Sequence, residues 1–190
     1  HNRCRRQRQM CIRDRIKYKI PKFSIENKLC GKTRPHFFPG VKKIVTKLFD
    51  IIEPDKSFFG EKDFQQYLVI KELCKKMKLK TVIVKCKTVR DKKGLALSSR
   101  NNYLNENEKK MAQKINKSVK KFLPFFRENL KVGRGTLKLK QDLFKHGIDS
   151  IDYLKIFTEQ LTIRKKLNDK CRLFIAVKIG NTRLIDNYKI

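Results

Sequence analysis

Two short strings in this 190-residue chain hold side chains whose types and spacing could do chemistry. In "GEKDFQQ", residues 60–66, Gly60 stands ahead of Glu61, Lys62 and Asp63, and Gln66 follows Lys62 by four residues. A helix opening here presents unpaired backbone N–H groups and partial positive charge, which suits a phosphate, and Lys62 adds a full cation. If the helix starts near Glu61, Lys62 and Gln66 share a face while Asp63 is displaced around the axis. The second string, "LSSRN" at 97–101, offers the hydroxyls of Ser98 and Ser99 and the Arg100 guanidinium on a turn, again a phosphate-binding set. Each string alone also fits a capped surface helix with solvated polar side chains.

The surrounding pattern predicts the elements that must hold these strings. From Gly40, Val41, Ile44, Val45, Leu48, Phe49 and Ile52 recur at three- and four-residue steps, which predicts a helix with one buried stripe ending before "EPDKS". A second helical pattern runs through Phe64, Leu68, Leu73, Cys74 and Met77, and "TVIV" at 81–84 reads as a strand, giving a helix, strand, helix, strand rhythm. Residues 88–101 have no sustained period and read as a long loop, a length that points to function. Asn105 with Glu108 opens a further helix in capping-box style, through Met111, Ile115, Val119 and Phe122 to a stop at Pro124. Beyond it come a short helix near 137–144 and strands at 151–157, 172–179 and 182–187, the last two joined by a tight turn at Gly180 and Asn181.

Composition bounds the function classes. With 39% hydrophobic and 35% charged residues a folded domain is expected, and at this length folding buries roughly two thirds of the unfolded surface. The net charge of +31 pulls toward a polyanionic partner, but the lysines are spread along the chain rather than gathered into a stripe. No nucleic acid partner is therefore expected, with a basic nucleic-acid-binding module kept as the alternative. The six cysteines show no C-x-x-C and no histidine at ligand spacing, so neither a zinc site nor a disulfide framework is indicated; buried thiols in the cytoplasm are expected. No apolar run reaches the roughly 18 residues of a membrane span. Residues 1–15 are arginine-rich, contain "MCIRDR", which resembles translated sequencing-adaptor read-through, and are set apart as a non-native or disordered segment. A basic nucleic-acid-binding arm is the rival reading.

The two strings in this order, together with "LCGKTRPHFFPGV" from Leu29, "KLFDIIEPDKSFFGEKDFQQYLVIKEL" from Lys47, "TVRDKKGLALSSRNNYLNENE" from Thr88 and "AVKIGNTRLIDN" from Ala176, resemble the pantothenate synthetase family over about residues 16–190. The resemblance implies an α/β fold: a partial nucleotidyltransferase-like Rossmann domain over 16–100 and a smaller C-terminal α+β lid domain over 101–190. It implies an ATP-dependent ligase that joins pantoate to β-alanine through pantoyl adenylate, with Mg2+ accompanying ATP, commonly as a homodimer. Carried over by position, Gly60, Glu61, Lys62 and Asp63 contact ATP, Lys62 on the phosphates and Asp63 on the ribose, and Gln66 holds pantoate. Val89 gives a backbone contact to adenine, and Leu97, Ser98, Ser99 and Arg100 form a mobile phosphate-binding loop. Lys62 and Arg100 are the expected catalytic cations.

Two departures qualify these expectations. The family's H-x-G-H motif is not in the sequence, whose histidines are His1, His36 and His146, so the chain corresponds to the C-terminal two thirds of the family pattern. On its own it is expected to be poorly stable and inactive, and a catalytically dead module is a further alternative. In "RPHFFPGV" the histidine stands one position earlier than the family places it, and a buried structural role is expected for His36.

Overall fold

A computed structural model describes residues 19–190. The segment 1–15 and the thiols of Cys4 and Cys11 lie outside those residues. The chain divides into two compact units, one ending at Cys86 and the other Lys87–Ile190.

The first unit contains a short helix α1 (Leu29–Thr33), a long helix α2 (Phe37–Ile52), strand β1 (Lys56–Gly60), helix α3 (Phe64–Lys76) and strand β2 (Val82–Cys86). β1 and β2 pair in parallel, with Lys56 opposite Val82 and Gly60 opposite Cys86, and α3 is the crossover between them. The predicted strand–helix–strand order is therefore present, as the β-branched run at 81–84 and the apolar spacing of α3 require. The core gathers Phe49 of α2 with Ile70, Leu73 and Cys74 of α3.

Helix α2 keeps part of its predicted face, with Phe49 buried and Val41 and Val45 packed against the same core, while Leu48 and Ile52 are exposed. It starts three residues early, at Phe37, and its buried side chains are Phe38, Lys42, Thr46 and Phe49; Ile51 and Ile52 are exposed. A lysine replaces an aliphatic residue in the stripe because its Nζ meets Glu26 Oε1 at 2.6 Å and the Pro21 carbonyl at 2.5 Å. Glu26 also accepts from the Phe23 N–H at 2.9 Å. A buried charge is tolerable only when paired and hydrogen-bonded in this way. His36 is exposed at the N-terminal boundary of α2, which corrects the buried role expected for it; the buried place falls to Phe38, 1% exposed.

The second unit holds helices α4 (Glu106–Glu128) and α5 (Gly133–Lys145) and an antiparallel sheet of β3 (Ser150–Thr158), β4 (Cys171–Ile179) and β5 (Thr182–Lys189), with β4 in the centre. The capping box is formed: the Glu108 N–H donates to Asn105 Oδ1 at 2.9 Å, and the Asn105 N–H to Glu108 Oε2 at 2.8 Å. Pro124 does not end α4, which runs four residues further. Proline forfeits one backbone hydrogen bond, but continuing the helix carries Phe126 to complete burial in the core with Val119, Leu139 and Leu143. The β4–β5 turn is the two-residue hairpin predicted, Ile179 opposite Thr182, with Gly180 in the left-handed region at φ 54°.

This unit is the longer of the two because residues 87–100 pack with it, whereas the sequence reading assigned them to the first domain. Among the described residues no helix is long and apolar enough to cross a membrane.

Candidate functional site

The residues singled out by sequence fall in both units: Gly60 through Gln66 in the first, Val89 and Leu97 through Arg100 in the second. In the first unit, β1 ends at Gly60 and delivers the chain to a 3₁₀ turn at Glu61–Asp63 before α3 begins at Phe64. This is the carboxyl end of a parallel strand followed by a helix N-terminus, the place where open α/β sheets put their ligands. Gly60 has φ −67°, open to any residue, and a Cβ built there would meet nothing within 4 Å. Backbone conformation and packing leave its glycine identity free, whereas a molecule lying against the backbone would demand it.

The tight turn changes the predicted side-chain arrangement. The α-helix starts three residues later than assumed, so Lys62 and Asp63 are neighbours in space, Nζ to Oδ2 at 3.6 Å. Glu61 is turned toward β2, where Lys85 Nζ approaches its Oε1 at 3.5 Å and lies 5.2 Å from the Phe64 ring centroid. Lys85 was not identified from sequence. Its only signal was its place near the end of a short strand, since the parallel register that sets it opposite Phe59 is not visible in composition.

The two glutamines of "FQQ" separate by role. Gln65 is 5% exposed; its Oε1 accepts from the Cys30 N–H at 3.0 Å, and its Nε2 donates to the Ile25 and Lys28 carbonyls at 2.8 and 2.6 Å. Its amide is thus committed to strapping the segment before α1 onto α3. Gln66, the next residue, is half-buried, which leaves it the amide of the pair suited to a ligand.

In the second unit the loop read as irregular is a closed hairpin in its first half. Arg90 and Ala96 form an antiparallel bridge, the Leu97 N–H donates to the Val89 carbonyl at 2.9 Å, and Asp91 Oδ1 accepts from the Lys93 and Leu95 N–H groups, both at 2.9 Å. Gln113 of α4 donates to the other Asp91 oxygen at 3.1 Å. Burial pushes the Asp91 carboxyl upward, but these donors outweigh it and hold the group below the usual aspartate value. Gly94, at φ 89°, lies so close to α4 that a Cβ there would sit 2.0 Å from Asn116 Nδ2, so only glycine fits.

Val89 and Leu97 remain 65% and 56% exposed, a pair of apolar side chains held out at the hairpin's mouth. Ser98 then caps a 3₁₀ turn over Ser99–Tyr103, its Oγ accepting from the Arg100 N–H at 3.2 Å, which leaves the hydroxyl hydrogen free to donate. A recess of about 580 Å³ is lined by Asp91, Leu97, Ser98, Ser99, Asn102 and Lys109 among others, within the usual size for a small-molecule site. Lys109 is a second residue missed by sequence reading; its signal is its place in the first turn of α4, just past the capping box. Among the described residues no group of three or more His, Cys, Asp or Glu side chains is arranged to hold a metal ion.

The pantoate-beta-alanine ligase family model matches residues 7–189, including the second half of the segment set apart by its composition. A pantothenate synthetase of Ruthia magnifica is 41% identical over 162 residues, covering 84% of this chain and 57% of the relative. The chain thus spans little more than half the length of that relative. Among solved structures, pantothenate synthetase from Thermus thermophilus superposes with a TM-score of 0.81 at 26% identity, over 99% of this chain and 74% of its own. Pantoate-beta-alanine ligase from Francisella tularensis, solved in complex with beta-gamma ATP and beta-alanine, superposes with a TM-score of 0.70 at 34% identity, over 89% of this chain and 56% of its own. The expected nucleotidyltransferase-like α/β fold is thereby established, and the chain belongs to the pantoate-beta-alanine ligase family.

Proposed function

We propose that this chain carries ATP- and pantoate-binding walls of a ligase that condenses pantoate with β-alanine. The observation that carries the reading is the family match, which runs through both polar strings; the ATP and β-alanine complex of the Francisella relative supports the choice of ligands. A pantoate carboxylate oxygen attacks the α-phosphorus of ATP, and the bond to the bridging oxygen of the β-phosphate breaks. Pantoyl adenylate and pyrophosphate result. The β-alanine amine then attacks the acyl carbon, the bond to the AMP oxygen breaks, and the amine proton passes to solvent.

Negative charge grows on phosphate oxygens in the first step, so fixed cations supply the stabilisation. Lys62 and Arg100 take that role, Ser98 and Ser99 donate to phosphate, and Leu97 shapes the loop. Gly60 and Glu61 hold the turn against the nucleotide, Asp63 accepts from the ribose hydroxyls and the Val89 backbone meets adenine. Gln66 orients pantoate. Magnesium enters with ATP as part of the substrate. The reading places the enzyme in the cytoplasm as a homodimer and needs no nucleic acid.

Titrating the purified chain with ATP tests the assignment. Saturable binding is expected, weakened at least tenfold by Lys62→Ala and by Arg100→Ala; affinity indifferent to both substitutions overturns the assigned roles. The family's histidine pair is not in this sequence, so with pantoate and β-alanine added the chain is expected to release no AMP above background. Robust AMP release would show that the pair is dispensable.

A further inference from the structure

Arg90 is used by none of the roles above, yet it makes the most directed contacts in the loop. Its Nη1 and Nη2 donate to the two carboxylate oxygens of Asp186 on β5 at 2.6 and 2.9 Å, and Nη1 also donates to the Gly94 carbonyl at 3.1 Å. The guanidinium carbon lies 4.8 Å from the Tyr188 ring centroid, and the Tyr188 hydroxyl donates to Asp186 Oδ2 at 2.8 Å. The Asp186 side chain is 10% exposed and Tyr188 8% exposed. A bidentate fork on a carboxylate fixes direction as well as distance, and the ring face restricts the guanidinium from a further side.

We infer that Arg90, Asp186 and Tyr188 are positioning residues, a clamp through which the β3–β4–β5 sheet sets the conformation of the nucleotide loop. The mechanical path is short. β5 pairs along its length with the buried central strand β4, so Asp186 is a fixed post. Arg90 ties the Gly94 end of the hairpin to that post, and Asp91 with Gln113 ties the neighbouring residue to α4. The hairpin in turn sets the start of the 3₁₀ turn that carries Ser99 and Arg100: the Ala96 carbonyl accepts from Asn101 Nδ2 at 3.1 Å, and the Leu97 N–H is held by Val89. The hairpin that leads into the loop Leu97–Arg100 is thereby preorganised, and only the serine–arginine portion is left to adapt to phosphate.

The inference rests on the nucleotide reading above, and its test separates the two. Arg90→Ala, Arg90→Lys and Asp186→Asn would be compared with Leu143→Ala, a fully buried position on α5 that makes none of the clamp's contacts. ATP affinity is measured well below every melting transition, with amide hydrogen exchange at Leu95 and Leu97 alongside. Arg90→Ala and Asp186→Asn are expected to lose at least tenfold in exchange protection and in ATP affinity. Arg90→Lys, which keeps charge without the fork, should recover less than half of the loss in logarithmic terms. Leu143→Ala should stay within twofold of the parent in affinity despite a lower Tm.

Unchanged protection in Arg90→Ala overturns the clamp. So does lost protection with unchanged affinity, or an equal affinity loss in Leu143→Ala. If the parent chain fails to bind ATP, the proposed function is overturned instead, and the clamp itself is decided by the exchange measurement alone.

Discussion

Strand β4 is buried at every position from Cys171 to Val177, while neither β1 nor β2 has a single fully buried residue. Consecutive burial means both faces of β4 are covered: Leu173, Ile175 and Val177 share a core with helices α4 and α5, while on the opposite face Arg172 is bonded to Asn187 and Phe174 lies beside Phe157. In the first unit Phe58 of β1 is 67% exposed, Val82 of β2 56%, and Ile51 and Ile52 of α2 61% and 63%. The second unit also exposes apolar side chains, Leu137 and Phe144 of α5 among them, so the contrast lies in the sheets: one has a buried central strand, the other has no buried strand position. The difference separates two ways of presenting a polar loop. The GEKD turn sits on a thin unit and depends on a few specific contacts, whereas the SSR loop is tied by ionic and hydrogen-bonded links to a saturated sheet.

If the first unit depends on a few contacts, removing one should cost more than its area suggests. Lys42→Met keeps the aliphatic stem but strands the Glu26 carboxylate, 7% exposed, without its cation. Breaking a buried pair from one side costs about 3–5 kcal/mol, a large share of the stability of any small domain. Urea titration followed by exchange at α3 amides should show early opening of this unit, with protection in β4 retained. The double variant Lys42→Met with Glu26→Leu should recover most of the loss, because no charge is then left buried. Simultaneous loss of protection in β4 would break the contrast between the units.

Part of this architecture was legible in the sequence. The Asn105–Glu108 box, the Gly180–Asn181 hairpin and the strand at the C-terminal side of α3 announce themselves through neighbours two to four residues apart. Features set by distant partners did not. Lys42 reads as a surface lysine until Glu26, 16 residues upstream, is seen against it. Arg90 reads as one more basic residue until Asp186, 96 residues downstream, takes its guanidinium. The same limit applies to the site. Lys62, Gln66 and Arg100 are proposed from their strings, whereas Lys85 and Lys109 become candidates only through the strand register and the recess. Pro124 misled for the related reason that its local cost is offset by the burial of Phe126, which no window around the proline reveals.

A smaller effect, confined to the second unit, follows from acid. The Asp91 carboxyl is held below the usual aspartate value despite burial, because it accepts from the Lys93 and Leu95 N–H groups and the Gln113 amide. A depressed folded value means that ionised Asp91 stabilises the hairpin above the ordinary aspartate range, roughly pH 4, and that this contribution is lost as pH falls through the folded value. Exchange protection at Leu95, corrected for the intrinsic pH dependence, should therefore fall on acidification below about pH 4, while amides in β4 hold theirs. Gln113→Ala removes one donor and should move the loss to higher pH. A Leu95 amide that tracks β4 at every pH would mean that the hairpin is held by packing alone.

The smallest effect is expected where the first unit is most apolar on its outside. Ile52 is 63% exposed in the last turn of α2, so Ile52→Ser removes little buried area and should change stability by no more than about 0.5 kcal/mol. Exposed aliphatic surface beside a two-stranded sheet nevertheless invites association between chains. The substitution should therefore raise the concentration at which the protein remains monodisperse by light scattering while leaving Tm nearly unchanged. Leu139→Ala, at a fully buried position of the second unit, should do the reverse and lower stability by about 2–5 kcal/mol. A loss of similar size from Ile52→Ser would mean that this face of α2 is covered in solution.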